Sequence, residues 1–291
     1  MLGNTLDYLI LRSFAHARNR QSEAELDAQS GEVSEATFAA EAQKLDKVIG
    51  RFAGHLPLAP KFSYLDLGCG SGELSIAIAR ASGGRVTGVD FMPRSIERAR
   101  LNAERLGVSE QVKFICQDLS NWQPPAEQRF DVLLSFDALE HISEPQAFLA
   151  KMADFMAPGG VAVVAFGPLF HSPFGDHMWD FFRLQIPWRG LIFREDALLK
   201  VRRECFRPTD PATRLDDIAG GLNRLRYSDF LAAVAETGWY FDFLAVNAFS
   251  RPNLFWRGLS RLLMRFPRLG NYFAHNVYAV LRRQPAPKVK A

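Results

Sequence analysis

One stretch limits what this chain can become: SYLDLGCGSGELSIAIARASGGRVTGVD, from Ser63 to Asp90. It runs from an apolar strand through clustered glycines into a helical pattern, then through a second strand to a lone carboxylate. Gly68, Gly70 and Gly72 remove side chains where a backbone must turn sharply and lie close to a ligand. Asp90 ends the second strand, at the mouth of the sheet where doubly wound folds bind ligands. A carboxylate there accepts hydrogen bonds from both hydroxyls of a ribose. A nucleoside cofactor meets both demands.

The rhythm continues beyond this unit. Short apolar runs at Tyr64 to Gly68, Arg85 to Asp90, Val112 to Asp118, Phe130 to Asp137 and Gly160 to Gly167 alternate with helices starting near Glu73, Pro93 and Pro145. Strands alternating with helices predict βαβ units and an α/β, doubly wound Rossmann-like sheet. Residues 61–168 would form this core. Residues 1–60 read as an N-terminal helical segment, including QSEAELDAQSGEVSEATFAAEAQ, and residues 169–226 as an aromatic, proline-punctuated cap inserted after the fifth strand. That segment is too long for an ordinary loop. Residues 227–291 would return to the core with a helix, a strand WYFDFLAV, an amphipathic helix at Leu254 to Phe266 and a last strand near Asn276 to Leu281.

Composition narrows the function classes. With 291 residues and 48% hydrophobic side chains the chain can bury a substantial core. A net charge of +3 from 35 basic and 32 acidic residues is too balanced for a nucleic-acid footprint over the whole surface. Cys69, Cys116 and Cys205 lie far apart, which suggests neither a zinc site nor a disulfide framework and fits a reducing cytosol. The opening MLGNTLDYLILRSFAHAR lacks a basic start, and no apolar run reaches the ~18 residues of a spanning helix. The chain reads as soluble and cytoplasmic.

Spacing separates two cofactor classes. Dinucleotide dehydrogenases use GxGxxG, whereas here the third glycine comes one residue early. Asp66 and Glu73, flanking the loop, would repel a pyrophosphate and would tolerate a cofactor carrying ammonium and sulfonium charges. LDLGCGSGE followed by VTGVDFMPRSIERAR resembles the class I S-adenosylmethionine-dependent methyltransferases. The resemblance covers about Phe62 to Gly167. It implies a seven-stranded sheet with an antiparallel last strand and S-adenosylmethionine across the ends of the first strands. It also implies that Asp66, Gly68, Gly70 and Gly72 shape the methionine side and that Asp90 holds the ribose. Phe91 or Met92 would pack on the adenine and Asp118 would meet its amino group, with Cys69, Leu119 and Phe136 completing the set. Read from the residues alone, Cys69 is a small buried apolar residue, Asp66 could hold the loop's amides, and Asp118 could cap the following turn.

The stretch FDVLLSFDALEHISEPQAFL carries Asp137, Glu140 and His141 just past a strand end, where they should face the transferred methyl group. LEHI resembles the fourth-strand motif of the quinone-biosynthesis O-methyltransferase branch. In that branch an acidic residue and a Glu-His pair can hold a divalent cation; aspartate stands here in place of the usual glutamate. His141 could act as a general base. Alternatively Asp137, Glu140 and His141 could form a metal site that lowers the acceptor's pKa, or Glu140 and His141 could simply bond the backbone. The cap offers His171, His177, Trp179 and Trp188 to a partly apolar small-molecule acceptor. In Leu254 to Phe266 and just beyond, Arg257, Arg261, Arg265 and Arg268 share one helical face, and Phe255, Leu259, Leu262 and Phe266 share the other. The pattern permits peripheral contact with the inner face of an anionic membrane; the alternative is a helix docked on its own domain with a solvated arginine face. The leading expectation is methyl transfer to oxygen. A binding protein that keeps the cofactor without turnover, and a nicotinamide-dependent oxidoreductase, are the rivals.

Overall fold

The structure, a computed structural model, describes residues 2–16, 46–178, 181–208, 211–248 and 254–283. Seven strands form one sheet: β1 (Ser63–Leu67), β2 (Arg85–Asp90), β3 (Val112–Cys116), β4 (Phe130–Phe136), β5 (Met156–Phe166), β6 (Trp239–Ala248) and β7 (Ala274–Arg283). Their order is β3-β2-β1-β4-β5-β7-β6. The first five pair in parallel, and β7 runs antiparallel between β5 and β6. The doubly wound sheet with its antiparallel last strand is therefore present. Its chain order reverses between β1 and β4, the switch point at whose carboxyl ends ligands bind in such sheets.

The named helices are α1 (Leu2–Phe14), α2 (Glu73–Ser82), α3 (Pro93–Arg105), α4 (Pro145–Phe155), α5 (Glu195–Cys205), α6 (Tyr227–Glu236) and α7 (Leu254–Leu263). Alternation along the strands sends successive side chains to opposite faces. Leu65, Leu67, Leu133 and Val164 join a core that includes Phe148 and Met152 of α4 and Phe230 of α6. Tyr64, Val132, Leu134 and Val163 join the other, with Ile76 and Ile78 of α2 and Ile96 of α3. Both faces are covered, which is why the central strands are nearly continuous apolar runs.

A third core belongs to the insertion. Leu11 of α1 packs there with Phe170, Phe181, Phe182, Leu198 and Phe206, and Ala15 bridges to Phe182. The first helix thus covers the insertion. Some boundaries differ from the sequence reading. β5 begins at Met156, because Met156 already pairs with Phe130, so the helix before it ends at Phe155 ahead of Pro158 and Gly159. β7 extends at both ends beyond Asn276 to Leu281 because β6 pairs along its full length. The segment QSEAELDAQSGEVSEATFAAEAQ lies outside the described residues.

Candidate active site

The glycine loop is built by left-handed backbone. Gly68, Gly70 and Gly72 have φ of 82°, 51° and 84°. A Cβ on Gly68 would lie 2.6 Å from Cβ of Ala138, and one on Gly72 would lie 2.8 Å from the Phe114 ring. Packing excludes a side chain at both. At Gly70 a Cβ would enter open space, so that glycine keeps the crevice itself clear. The loop is tied back by the Gly68 and Cys69 N–H groups donating to the Val89 carbonyl at 2.9 and 3.1 Å.

Asp90 connects the loop to the second strand. One carboxylate oxygen accepts the Gly70 N–H at 3.0 Å and the other accepts the Met92 N–H at 2.8 Å. Each oxygen retains acceptor capacity for a ligand hydroxyl. Asp66 is buried and accepts the Ser75 hydroxyl at 2.6 Å. Burial pushes its carboxyl up to about 7; the Ser75 hydrogen bond opposes the rise and the nearby Asp90 and Glu73 add to it. Negative charge thus gathers around the loop, which a cationic ligand would relieve. The Cys69 thiol is pushed up by burial and by the same acids, so it is neither exposed nor ionised as a nucleophile must be.

Two cavities meet at this loop, both lined by Gly68 and Asp137. The larger, about 830 Å³, is lined by Asp90, Phe91, Met92, Asp118, Leu119 and His141 among others. Phe91 and Met92 are exposed apolar side chains, as a ring-binding wall requires. Asp118 caps its own turn, its Oδ1 accepting the Ser120 N–H and hydroxyl at 2.8 and 2.7 Å, which holds the carboxyl below its ordinary range. Lys151 of α4 fixes the same loop, donating to the Leu119 and Ser120 carbonyls at 2.9 and 2.7 Å. The smaller cavity, about 480 Å³, is lined by Asp66, Cys69, Gly70 and Phe136, with Asn276 and Tyr278 of β7 on its far wall.

Asp137, Glu140 and His141 do not converge. Asp137 adopts φ of 49°, and its side chain opens into the crevice whose walls enclose it, so desolvation pushes its carboxyl up to about 6. Glu140 departs from the expectation that it faces the methyl group. Its side chain turns inward, Oε1 accepting the Gly167 N–H at 3.0 Å, and burial pushes the carboxyl up to about 8. Burial of this kind favours the neutral form of the carboxyl. Among the described residues no three His, Cys, Asp or Glu side chains are grouped to hold a metal ion.

His141 stands at the cavity wall with its Nδ1 hydrogen-bonded to the Gly221 carbonyl. A carbonyl only accepts, so Nδ1 carries the proton and the neutral ring's lone pair is on Nε2. The single turn Leu139–His141 is itself stapled by Asn223: its amide donates to the Leu139 and Ile142 carbonyls at 2.7 Å each, and its N–H to the Glu140 carbonyl at 2.8 Å. Gly221 and Asn223 lie some eighty residues beyond His141 in sequence, so no local pattern pointed to them.

The expected acceptor residues are dispersed. His177 packs edge-on against His141, ring centroids 5.7 Å apart, and its Nε2 donates to the Pro168 carbonyl. His171 is enclosed beside Phe170 and Tyr272, and Trp188 donates to the Tyr272 carbonyl at 2.9 Å. None of the three lines either cavity. Burial lowers the pKa of His171 and of His177, as expected of packed imidazoles. Trp179 lies outside the described residues. Asn276 and Tyr278, not among the expected site residues, reach the crevice because β7 inserts between β5 and β6.

Residues 58–168 match the family described as "Methyltransferase domain". Over that range the chain is similar to methyltransferases. The chain is 40% identical over 100 residues to a ubiquinone biosynthesis O-methyltransferase of Cereibacter sphaeroides, covering 34% of this chain and 38% of that protein. It is 32% identical over 129 residues to the 27-O-demethylrifamycin SV methyltransferase of Amycolatopsis mediterranei, covering 44% and 47%. The chain thus spans less than half the length of these curated relatives. The fold extends further than the sequence likeness. The magnesium protoporphyrin IX methyltransferase of Synechocystis, solved with bound S-adenosylhomocysteine, aligns over 96% of this chain and 100% of its own with a TM-score of 0.52 and 17% identity.

Proposed function

We propose that the chain transfers a methyl group from S-adenosylmethionine to an oxygen of a small or medium-sized, partly apolar acceptor. The observation that carries this reading is the tautomer of His141, which leaves the Nε2 lone pair available beside the cavity that Gly68 and Asp90 line. The glycine cradle supports the cofactor: Gly70 leaves room for a ligand, and Asp66, Glu73 and Asp90 suit ammonium and sulfonium charges. In this reading Asp90 holds the ribose, Phe91 and Met92 flank the adenine, and Asp118 accepts its amino group. Asp66, Gly68, Cys69, Gly70, Gly72 and Phe136 surround the methionine end, and Leu119 backs the adenine.

When bound, the cofactor supplies a methyl group on an already activated sulfonium. The chain's residues need then only align the acceptor, exclude water and take one proton. Nε2 of His141 receives the acceptor's hydroxyl proton as that oxygen becomes methylated, and the Gly221 carbonyl steadies the imidazolium through Nδ1–H. Asp137 supplies a hydrogen bond at the junction of the two cavities. The names of the relatives, two of which specify oxygen, support oxygen as the methylated atom. The same reading puts the enzyme in the cytosol against the inner face of a membrane, where a partly apolar acceptor partitions.

Thermal denaturation with S-adenosylmethionine, S-adenosylhomocysteine and NADH tests the cofactor. A sulfur ligand at ~100 times its dissociation constant should add about 2.7 kcal/mol. Stabilisation by NADH alone would refute the reading. Transfer of labelled methyl to phenolic acceptors then separates enzyme from binder. His141→Ala should lower kcat about 100-fold or more while S-adenosylhomocysteine affinity stays constant. Full turnover by that variant would dismiss the base.

A further inference from the structure

We infer that the surface formed by α7, the segment after it and the outer turn of the insertion seats the protein on an anionic lipid bilayer. This deepens the reading above by naming the face that meets the lipid. Leu262 and Phe266, one helical turn apart, are 50% and 55% exposed, and Leu269 in the next turn is 45% exposed. Arg261 and Arg265 are exposed one position before each of the first two, and Arg268 is exposed before the third. A basic row therefore runs beside an apolar row. Leu259, Leu263 and Met264 are partly covered and Ser260 is buried, so the helix docks through another side and leaves this one outward.

The insertion is tied to the residues that follow α7. Trp188 donates its indole N–H to the Tyr272 carbonyl at 2.9 Å and packs on Phe273, while its own carbonyl receives the N–H groups of Leu191 and Ile192. That joint brings the turn Arg189–Ile192, with Ile192 61% exposed, beside the α7 segment. The turn that carries Ile192 is thus tied to the residues that follow α7.

Charge selects the occupant. From Leu254 to Gly270 the sequence carries Arg257, Arg261, Arg265 and Arg268 and neither Asp nor Glu. The chain's net charge of +3 conceals this concentration. A second copy docked by the same face would set two arginine rows together with no local carboxylate between them. Nucleic acid would use the arginines and leave Leu262, Phe266, Leu269 and Ile192 exposed to water. Anionic headgroups over acyl chains satisfy both rows at once.

Co-sedimentation of the full chain with vesicles tests this without turnover. Vesicles of phosphatidylcholine with 30% phosphatidylglycerol are compared with phosphatidylcholine alone. Binding should be at least ~10-fold tighter to the anionic vesicles and should weaken as salt is raised. Arg261→Glu, Arg265→Glu and Arg268→Glu combined should lower that affinity about 100-fold. Leu262→Ser with Phe266→Ser should lower it about 10-fold and leave a residual binding fully removed by salt. Circular dichroism and stabilisation by S-adenosylhomocysteine should be unchanged in both variants, which separates a failed surface from a failed fold or a failed cofactor site. Equal sedimentation with the two vesicle types, or wild-type binding by both variants, would overturn the inference. So would a dimer that the Leu262 and Phe266 substitutions dissociate.

Discussion

The glycine loop and the insertion both border His141, yet they are held in opposite ways. The loop owes its shape to backbone: three left-handed glycines, amides tied to Val89 and a carboxylate that accepts two N–H groups, all within Leu67 to Met92. The insertion owes its shape to side chains. Arg189 donates to both oxygens of Asp176 at 2.8 and 2.9 Å, with both residues almost fully buried, and lies over the Phe182 ring at 4.1 Å. Phe181 stacks on Phe206 at 4.4 Å with the rings 12° apart. Backbone geometry leaves a sequence signature, because only glycine tolerates it. Side-chain packing does not, because many residues fill the same space.

Breaking the insertion should cost most. Arg189→Ala leaves the Asp176 charge buried without its partner, and about 3–5 kcal/mol of stability should be lost from the insertion. Hydrogen exchange should show protection falling in residues 169–208 and 211–226 while S-adenosylhomocysteine still binds. A parallel loss of cofactor affinity would show that the two regions are one unit.

The loop should respond differently at two of its glycines. Gly68→Ala combines an unfavourable φ with overlap on Ala138, and should cost about 2–4 kcal/mol. Gly70→Ala meets nothing in the protein, so only the backbone cost of about 1 kcal/mol should appear in denaturation, while S-adenosylhomocysteine affinity falls because the methyl enters the crevice. Equal stability losses at the two positions would contradict the assignment of Gly70 to the ligand.

Glu140 lies between the regions, and pH reads it. Its carboxyl, pushed up to about 8, stays protonated in the folded chain where the unfolded chain has ionised. The folded state then binds the extra proton, so this residue's contribution to stability is full below about 4.5 and is lost as pH rises toward 8. Glu140→Gln keeps an acceptor for Gly167 N–H and should gain about 2 kcal/mol at pH 7 with no gain at pH 4.5. Urea denaturation at the two pH values checks the sign.

The smallest effect tests the link. Asn223→Ala frees the Leu139 and Ile142 carbonyls and should lower kcat about 10-fold with unchanged cofactor affinity. Its pH–rate profile should also shift, because His141 loses its fixed orientation; a profile identical to wild type would make Asn223 a purely structural staple.

Much of the cofactor side was legible in order along the chain. Strand, glycines, helix, strand and carboxylate are contiguous, so the unit from Ser63 to Asp90 could be read before any contact was known, and the seven-stranded sheet was implied by the family resemblance. The acceptor side was not. Asp137, Glu140 and His141 are neighbours in sequence, and adjacency suggested a shared target. Yet a left-handed Asp137 and a single helical turn point them apart, sending Glu140 into the core and His141 to the cavity wall. His171 and Trp188 looked like acceptor contacts because aromatic residues serve packing and binding alike.

By itself the sequence determined the alternation of strands with helices and the glycine cradle, because short apolar runs between helices and left-handed backbone each admit few residue types. Tertiary structure alone decided which nitrogen of His141 is free, which carboxyl is neutral and which arginines share a surface with leucines. Those depend on groups such as Gly221, Gly167 and Trp188 meeting across long separations. Electrostatics and hydrogen bonding are set by what lies within a few ångströms, and the chain's order does not record that distance.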